Sequence, residues 1–452
     1  MKRYFTIGIT LLLAFSMLLA ACSPGASAPA DKPADVKPGD TSAKPTVTLK
    51  LLKIADELEA QALVEIVDAF HKIENGKWAH VNVEVDAKPF AELFPAISKA
   101  VATGSNVDIV QADGPDVKHF AYNEVLMDLT DHFTAEELQQ WAPQSVAEGS
   151  MNGRFYGPPE AESCQLMWFN KDMLDKAGID YTNTAGWTYG DNGTALPNWQ
   201  KLTIDENGDG TPEVFGFETT GPWDYFYRIP GRSAGTPGSP TFEGIGPDGV
   251  TFKGYFDTDE SIAAYQFMQD MVYKYKVMSA EQVQNQMLSG LAATNFYQDM
   301  IIGTQKDQFP DFKMGAIEPP YFVTPLCQTG SWHWGITKTT QNFEEALAFV
   351  KFLAGDEGAS YIWKYKNQLP ANVNLYNSID EFKDPANPRS LMVAFFNKYG
   401  KPRIETPAYT EYNTLFTQFY TSVLAGDDVA TLAHDYAEQM EEAAAKYKGW
   451  KE

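Results

Sequence analysis

Residues 46–70 read TVTLKLLKIADELEAQALVEIVDAF, and the class of the fold can be worked out from this stretch. Its first nine residues, 46–54, are rich in β-branched and apolar side chains and predict a strand. The apolar residues then change to helical spacing and share one face: Leu58, Ala62, Ile66 and Phe70. A strand followed by an amphipathic helix is the first half of a βαβ unit, so the stretch predicts an α/β protein.

The alternation of strand and helix continues downstream. Residues 81–85 (VNVEV) predict a second strand, residues 90–101 a second helix, and Val107–Val110 a third strand. The order β-α-β-α-β implies parallel strands joined by right-handed crossovers. Ligands of such sheets bind beyond the carboxyl ends of the strands, which makes Asp113 a candidate ligand-binding residue. The alternative for Asp113 is a solvated turn residue beside Gly114 and Pro115.

Length and charge limit the classes of protein to which the chain can belong. At roughly 100–200 residues per domain, 452 residues predict two or three domains. The chain carries 35 Lys and Arg against 60 Asp and Glu, a net charge of −25. Binding to phosphate backbones or to anionic lipid requires a basic surface. We therefore expect no nucleic-acid partner and no electrostatic adhesion to a membrane.

The first 46 residues predict an export signal and a tether. Lys2 and Arg3 precede an apolar run that ends near Ala21, so residues 1–21 resemble a secretory signal peptide. The sequence LAAC at 19–22 resembles the lipobox of bacterial lipoproteins, which predicts cleavage before Cys22 and lipid attachment to its thiol. The alternative is an ordinary signal peptide cut near Ala21. Residues 22–46 lack aromatic side chains and predict a disordered tether.

The rest of the chain predicts a second α/β unit. A strand is predicted at Leu166–Phe169 and a helix at Lys171–Gly178. Residues 186–254 are rich in Gly, Pro and Trp and predict irregular structure. Further helices are predicted at 261–276, 282–291 and 343–353, with a helical pair over 414–447 that breaks near Gly426.

Five motifs, in order, resemble those of one family. They are GSNVDIV at 104–110, FYGPP with WFNKDML and KAGI over 155–179, GLAA at 290–293, WGI with EALAFVKFL over 334–353, and LPAN at 369–372. Val107 stands where proline is usual, and Thr294 replaces a methionine. From about residue 50 to about 376 the chain resembles extracellular solute-binding protein family 1 of ABC importers, the maltose-binding-protein-like lipoproteins, most of which are carbohydrate receptors.

The resemblance implies a two-lobed α/β fold of the periplasmic-binding-protein type II class, with a hinge between the lobes. Crossovers between the lobes are expected near residues 160–163, 328–331 and 369–372. The first (N-terminal) lobe would take residues 48–160 plus 332–370. The second (C-terminal) lobe would take residues 163–328 plus 373–452.

The resemblance also implies a function. The chain would be a monomeric, lipid-anchored receptor on the extracellular face of the cell membrane, or on the periplasmic side in a Gram-negative source. It would capture a carbohydrate, with an oligosaccharide expected, and deliver it to ABC permease subunits, with no catalysis. A sugar cleft needs aromatic platforms beside carboxylates and amides. The candidate ligand-binding residues are Asp113, Glu160, Glu162, Trp223, Asp224, Tyr225, Tyr297, Gln298, Trp332 and His333.

Two other functions remain open from the residues alone. One is a receptor for a non-sugar solute, since the acidic balance and the aromatic loops are compatible with a cation. The other is a secreted glycoside hydrolase that uses a carboxylate pair such as Glu160 and Glu162, although no acid–nucleophile motif supports it. The alternative for any single aromatic candidate is packing in a core or between the lobes.

Two local features carry further predictions. Residues 205–213 (DENGDGTPE) resemble part of an EF-hand loop and predict a structural calcium held by Asp205, Asn207, Asp209, Thr211 and Glu213. Gly216 stands where the loop's bidentate Glu belongs, and the alternative is a polar turn. Cys164 and Cys327 both fall near expected crossovers. We expect two buried free thiols, with a disulfide as the alternative.

Overall fold

The computed structural model describes residues 44–56 and 60–452. The predicted signal peptide, the lipidation residue Cys22 and nearly all of the predicted tether lie outside the described residues. Residues 45–452 form one compact unit. In the part of the chain that is described, no helix is both long enough and apolar enough to cross a bilayer.

The strands are short and fall into two main sheets and two ribbons. In chain order they are β1 (Val47–Ile54), β2 (Val81–Lys88), β3 (Ile109–Asp113), β4 (Ser150–Met151), β5 (Arg154–Phe155), β6 (Pro159–Ala161), β7 (Leu166–Asn170), β8 (Phe215–Phe217), β9 (Ala292–Tyr297), β10 (Met314–Ile317), β11 (Cys327–Gln328), β12 (Trp332–Ile336) and β13 (Gly400–Lys401).

Helices cover the sheets and make up most of the chain after β12. The first nine are α1 (Ala60–Phe70), α2 (Phe90–Ala102), α3 (Gly114–Tyr122), α4 (Ala135–Leu138), α5 (Pro143–Glu148), α6 (Lys171–Ala177), α7 (Ala195–Leu202), α8 (Asp224–Ser233) and α9 (Pro240–Glu243). The others are α10 (Asp259–Tyr273), α11 (Met300–Gln308), α12 (Phe343–Ala354), α13 (Asp356–Lys366), α14 (Val373–Ser378), α15 (Pro388–Tyr399), α16 (Tyr409–Ala425) and α17 (Val429–Ala444). Short 3₁₀ turns lie at Ile73–Gly76, Thr130–His132, Asp380–Phe382 and Ala445–Tyr447.

The first lobe is the part built on a five-stranded sheet with the order β2-β1-β3-β12-β6. Strand β1 is parallel to both β2 and β3, which confirms the predicted β-α-β-α-β unit. The third strand runs from Ile109 to Asp113, two residues later than predicted at its start. Just before β3, the Asp108 carboxylate accepts a hydrogen bond from the backbone N–H of Lys50 (2.8 Å), and the Asp108 backbone N–H donates to the Lys50 carbonyl (3.0 Å).

The second lobe is the part built on a four-stranded sheet with the order β10-β7-β9-β8. Strand β7 is antiparallel to β9 and β10, while β8 is parallel to β9. The predicted strand at Leu166 and the helix after it are confirmed as β7 and α6. The predicted C-terminal helical pair is also confirmed, since α16 ends at Gly426, whose φ of 95° only glycine adopts readily.

Two secondary-structure predictions in the second lobe are wrong. Residues 186–254 are not irregular, because they contain α7, β8, α8 and α9. These elements are short, and fully buried side chains such as Trp199 hold them in place. Residues 282–291 form turns rather than a helix. Asn285 adopts a left-handed φ of 55°, and the backbone N–H of Met287 donates to the Glu218 carboxylate (2.7 Å) instead of to a helical carbonyl.

Three segments that join the sheets lie side by side. The backbone N–H of Glu162 donates to the Leu369 carbonyl (2.8 Å), and the Ser163 hydroxyl donates to the Gly330 carbonyl (2.7 Å). Cys164 and Cys327 form a disulfide between the first two segments, so the expectation of two free thiols is wrong. The sheets draw their strands from 47–161 plus 332–336 and from 166–317, and the finer lobe boundaries stay a prediction.

Candidate ligand-binding site

A cavity of about 500 Å³ opens in the second lobe where strands β8 and β9 end. Both strands point their carboxyl ends at it, because they are parallel. This is the edge at which α/β sheets bind ligands. The side chains that line it are aromatic, amide, hydroxyl and carboxyl groups, among them Glu218, Thr220, Trp223, Asn295, Tyr297 and Gln308.

Aromatic rings form one wall of this cavity. Trp223 lies directly before α8 and is 44% exposed. Its ring lies 6.0 Å from Phe226, which in turn stacks on Tyr297 at 5.4 Å. A Cβ atom at Gly221 would come within 2.8 Å of the Trp223 indole, so glycine at 221 is what allows the ring to fold back over the loop. The wall is therefore a fixed aromatic surface of the kind that stacks on a flat apolar face.

The floor of the cavity is polar, and one of its hydrogen-bonding atoms has no partner in the described part of the chain. Burial raises the pKa of the Glu218 carboxyl to about 7. Asn295 is buried, and its Oδ1 atom has no hydrogen-bond partner among the described residues. Buried acceptors without donors are rare in folded proteins. An amide oxygen without a donor beside this cavity is therefore a candidate acceptor for a ligand hydroxyl.

On the first lobe, a buried ion network occupies the carboxyl end of β1. The Lys366 ammonium lies 2.5 Å from Glu160 Oε1 and 3.0 Å from Asp56 Oδ2, and the Lys53 ammonium lies 2.5 Å from Asp56 Oδ1. Burial alone would raise the pKa of Asp56, but Lys366 and Lys53 hold it below its usual value. Glu160 is thus engaged by Lys366 and Gln111 rather than open to solvent.

A second aromatic group lies at the same edge of the first-lobe sheet. The rings of Trp332 and Phe94 are nearly parallel at 6.5 Å, and exposed Phe90 meets Trp332 edge-on at 6.1 Å. Trp332 is the first residue of β12, where it pairs with Asp113 of β3. Its half-buried ring remains a possible stacking surface on this lobe.

Asp113 is buried in an ion pair with Arg403, which comes from the segment after β13. Two guanidinium nitrogens donate to the two carboxylate oxygens, with Nη1–Oδ2 at 2.8 Å. The Arg403 guanidinium also donates to the Tyr409 hydroxyl (3.1 Å) and lies 5.5 Å from the Tyr225 ring. The alternative of a solvated turn residue is therefore wrong for Asp113. Its carboxylate joins the first lobe to the C-terminal segment.

Asp116, one turn further along α3, is a second buried acid at this contact. Its Oδ1 atom accepts a hydrogen bond from the Thr410 hydroxyl (2.7 Å) on α16. Burial, and then the neighbouring Asp113 carboxylate, raise the pKa of Asp116 to about 7. The contact between α3 and α16 therefore contains a carboxyl that titrates near neutral pH.

Two more buried carboxyls lie beside the joining segments. The Ser145 hydroxyl donates to Glu162 (2.5 Å), and the Thr329 hydroxyl donates to Glu148 (2.5 Å). Burial, and then the charge of Glu148, raise the pKa of Glu162 well above its usual value. Burial also lowers the pKa of His333 to about 4, so its ring is neutral at pH 7. Its Nδ1–H then donates to the Gly157 carbonyl (2.9 Å).

The remaining candidates lie at the start of α8 and after β9. Asp224 is fully buried, and its carboxylate accepts from the hydroxyls of Tyr409 (3.0 Å) and Tyr412. Tyr225 donates its hydroxyl to Ser163 (2.7 Å). Gln298 is half-buried just beyond the Tyr297 position. Of the ten candidates, Trp223 and Tyr297 line the cavity, and the assignment of the others to a ligand stays a prediction.

Several site residues escaped the sequence reasoning. Asp56 and Glu218 lie just past the carboxyl ends of β1 and β8, and Asp113 lies at the carboxyl end of β3. The rule that selected Asp113, that ligands bind beyond the carboxyl ends of strands, therefore also selects Asp56 and Glu218. Strand β8 was not predicted, because it lies within residues 186–254, which were expected to be irregular. Arg403 and Asn295 carry no local signal, because their partners come from distant parts of the chain.

The predicted calcium loop is held by its own hydrogen bonds. The Asp205 carboxylate accepts from the backbone N–H groups of Gly208 (2.8 Å) and Gly210 (2.9 Å). Glu213 accepts from the Asn207 amide (2.5 Å). Within 44–56 and 60–452, no group of three or more His, Cys, Asp or Glu side chains is arranged to hold a metal ion. As placed, these residues do not form a calcium cage, and the site stays a prediction.

Two α/β sheets joined by three adjacent segments, with an aromatic and polar cavity at strand ends, define the class of two-lobed ligand-binding proteins. Residues 65–389 match the family profile described as bacterial extracellular solute-binding protein. The chain belongs to this family.

Relatives match the chain over nearly its whole length. It is 24% identical to the maltooligosaccharide ABC transporter solute-binding lipoprotein of Streptococcus pneumoniae strain R6, over 96% of this chain and 95% of the relative. It is 22% identical to the galactooligosaccharide-binding protein of Bacillus subtilis strain 168, over 97% of this chain and 95% of the relative.

Solved structures share the fold at low identity. An ABC substrate-binding protein from Listeria monocytogenes in complex with cycloalternan superposes with a TM-score of 0.74 at 19% identity, covering 88% of this chain and 99% of that one. The maltose/maltodextrin-binding domain MalE from Bdellovibrio bacteriovorus bound to maltotriose gives 0.71 at 18% identity, covering 88% and 100%. These matches confirm the two-lobed fold expected from the resemblance.

Proposed function

We propose that this chain is the substrate-binding lipoprotein of an ABC importer and that its ligand is an oligosaccharide. The relatives named above are described as binding maltooligosaccharide or galactooligosaccharide, and two solved neighbours carry bound sugars. Closure of the two lobes on the sugar would present the loaded receptor to the permease subunits.

The cavity chemistry carries the proposal. The unpartnered Asn295 oxygen accepts a hydrogen bond, which a sugar hydroxyl supplies. The Trp223 and Tyr297 rings beside it match the apolar C–H faces of a sugar ring. A neutral ligand with both donors and flat apolar faces satisfies all three groups at once.

The same chemistry disfavours the two other functions. A cationic solute is best held by several carboxylates, whereas Glu218 is the one acidic side chain among the described residues that line this cavity. A hydrolase needs two carboxyls that face one substrate bond. Glu160 is engaged by Lys366, and Glu162 by Ser145, both inside the protein. We infer a binding role without catalysis.

Tryptophan replacement tests the sugar site. We expect Trp223→Ala and Trp332→Ala each to weaken binding of malto- or galactooligosaccharides by ~1–3 kcal/mol, since each removes a stacking surface. Tyr181→Ala, a partly exposed aromatic change away from the cavity, should leave affinity unchanged. Isothermal titration measures the affinities, and chromatography of the recovered sugar detects any cleavage. Unchanged affinity in both tryptophan variants would mean that the site is misplaced.

The location at the membrane is a separate part of the proposal. A relative is described as a lipoprotein, and the sequence places a lipobox before Cys22. We expect Cys22→Ala to move the protein from the membrane fraction to the medium or the periplasm. Retention of the variant at the membrane would contradict lipid anchoring.

Calcium binding by residues 205–213 is proposed as a structural feature independent of the sugar. If the loop binds calcium, the melting temperature of the wild type rises with calcium over a chelator control, and the rise is lost in Asp205→Ala. A wild-type melting temperature that does not change with calcium would refute the site.

A further inference from the structure

A second cavity of about 390 Å³, the outer cavity, adjoins the first in the second lobe. The two cavities share Thr220 and Gln282 as lining residues. The segment that carries Thr220 forms the ridge between them. The outer cavity extends from this ridge to the ends of helices α10 and α16, where Tyr273 and Leu424 line it.

Tyr273 is an exposed but fixed aromatic ring in this outer cavity. It is 50% exposed, yet its hydroxyl donates to the Leu424 carbonyl (2.8 Å). A Cβ atom at Gly426 would come within 3.3 Å of the ring, so the tyrosine packs closely against the turn that ends α16. A ring held in this way loses little entropy when it contacts a ligand.

The lining of the outer cavity is free of charge. All the side chains that line it are apolar, hydroxyl or amide groups, in a protein whose net charge is −25. Pro222 and Leu424 supply apolar surface, while Thr421 and the exposed amide of Gln282 supply hydrogen-bonding groups. An uncharged patch with one rigid aromatic ring suits a neutral polyhydroxylated ligand better than a charged one.

We propose that this outer cavity is an accessory subsite that takes further rings of the same oligosaccharide whose other end occupies the inner cavity. The inference rests on the proposed function and narrows it to long chains. The two cavities meet at Thr220 and Gln282, so one extended ligand can cross this ridge and place a ring against Tyr273. A disaccharide held at Trp223 and Asn295 would not use the outer cavity.

Chain-length dependence of affinity tests the proposal. The probes are two series, malto-oligosaccharides and β-galacto-oligosaccharides, from the disaccharide to the heptasaccharide, titrated calorimetrically into the wild-type protein. For the series that binds, we expect affinity to rise with length. Tyr273→Ala should lose ~10-fold in affinity for the heptasaccharide and keep its affinity for the disaccharide. Tyr181→Ala, whose hydroxyl is also hydrogen-bonded, is the matched control and should show the wild-type length dependence.

Each other outcome has a distinct meaning. A wild type that binds the disaccharide as tightly as the heptasaccharide, or a Tyr273→Ala variant with unaltered length dependence, overturns the subsite. Ala425→Gln fills the same cavity from an exposed helix position without touching the Tyr273 anchor. Ala425→Gln should lose affinity for the heptasaccharide and keep its affinity for the disaccharide. It therefore tests the subsite even if Tyr273→Ala fails to fold. A wild type that binds neither series contradicts the proposed function itself.

Discussion

Replacing Arg403 with methionine is expected to lower the free energy of unfolding by about 3–5 kcal/mol. The guanidinium is buried and makes a two-pronged ion pair with Asp113, and the neighbouring acids Asp116 and Glu162 also depend on its charge. Methionine keeps much of the side-chain volume but leaves these carboxyls without a counter-charge. Removing one partner of a buried pair is costly because the other charge stays buried and uncompensated.

Urea unfolding at pH 7, followed by circular dichroism, measures this loss. The matched control is Lys401→Met, which breaks a partly exposed ion pair with Glu243 and should cost no more than ~1 kcal/mol. The double variant Asp113→Leu, Arg403→Met removes both charges and should recover most of the loss. A loss below ~1 kcal/mol in Arg403→Met would show that the ion pair does not hold the C-terminal segment to the first lobe.

Asp116→Asn is expected to be more stable than the wild type at pH 8 by ~4 kcal/mol and about equal to it at pH 4. Burial and Asp113 raise the pKa of Asp116 to about 7 in the folded protein, against roughly 3.9 when unfolded. Between these values the folded state binds more protons than the unfolded state. Wild-type stability therefore falls by ~1.4 kcal/mol per pH unit as the pH rises from 4 to 7, and the amide removes this slope.

The groups that face Asp116 are Asp113, Arg403, Glu411 and the Thr410 hydroxyl. In the Asp116→Asn variant, the amide oxygen can still accept the hydrogen bond from the Thr410 hydroxyl. Glu218 and His333 titrate in the same interval, but they do so in both proteins and cancel in the difference. Denaturant unfolding at each pH unit from 4 to 8 provides the measurement. Asp172→Asn, at an exposed position, is the control for replacing a carboxylate with an amide and should show a far smaller change between pH 4 and pH 8 than Asp116→Asn. If the free energy of unfolding of the wild type and that of Asp116→Asn changed in parallel with pH, the raised pKa of Asp116 would be contradicted.

Periodicity predicted most of the first lobe but less of the second. The pattern around residues 46–110 led to β1, α1, β2, α2 and β3, because the apolar residues of the first four follow the period of a strand or a helix and β3 is a short apolar run that is buried throughout. The wrong predictions fall where local pattern and tertiary packing disagree. The helix expected at 282–291 has helical spacing, yet Glu218 captures a backbone N–H there and turns the chain.

The candidate site was predicted in its aromatic part and missed in its polar part. Trp223 was found because it lies in a glycine- and proline-flanked segment, and Tyr297 because it follows the GLAA motif at 290–293. The burial of Asp224 against Tyr409 and Tyr412 was not foreseen, because a helix start can look like a polar loop. Asn295 gave no signal, since an amide in a buried strand is notable only once its neighbours are known.

Short-range features of the chain were enough to establish the α/β class, the parallel β1–β2–β3 unit, the C-terminal helical pair and the family. Each of these depends on residues close together in sequence, where periodicity and motif spacing act. Only the tertiary structure joined Cys164 to Cys327 across 163 residues and Asp113 to Arg403 across 290. It also opened the cavity beside Asn295. Pairing over such distances is decided by how the two lobes pack, and packing leaves no periodic trace in a single sequence.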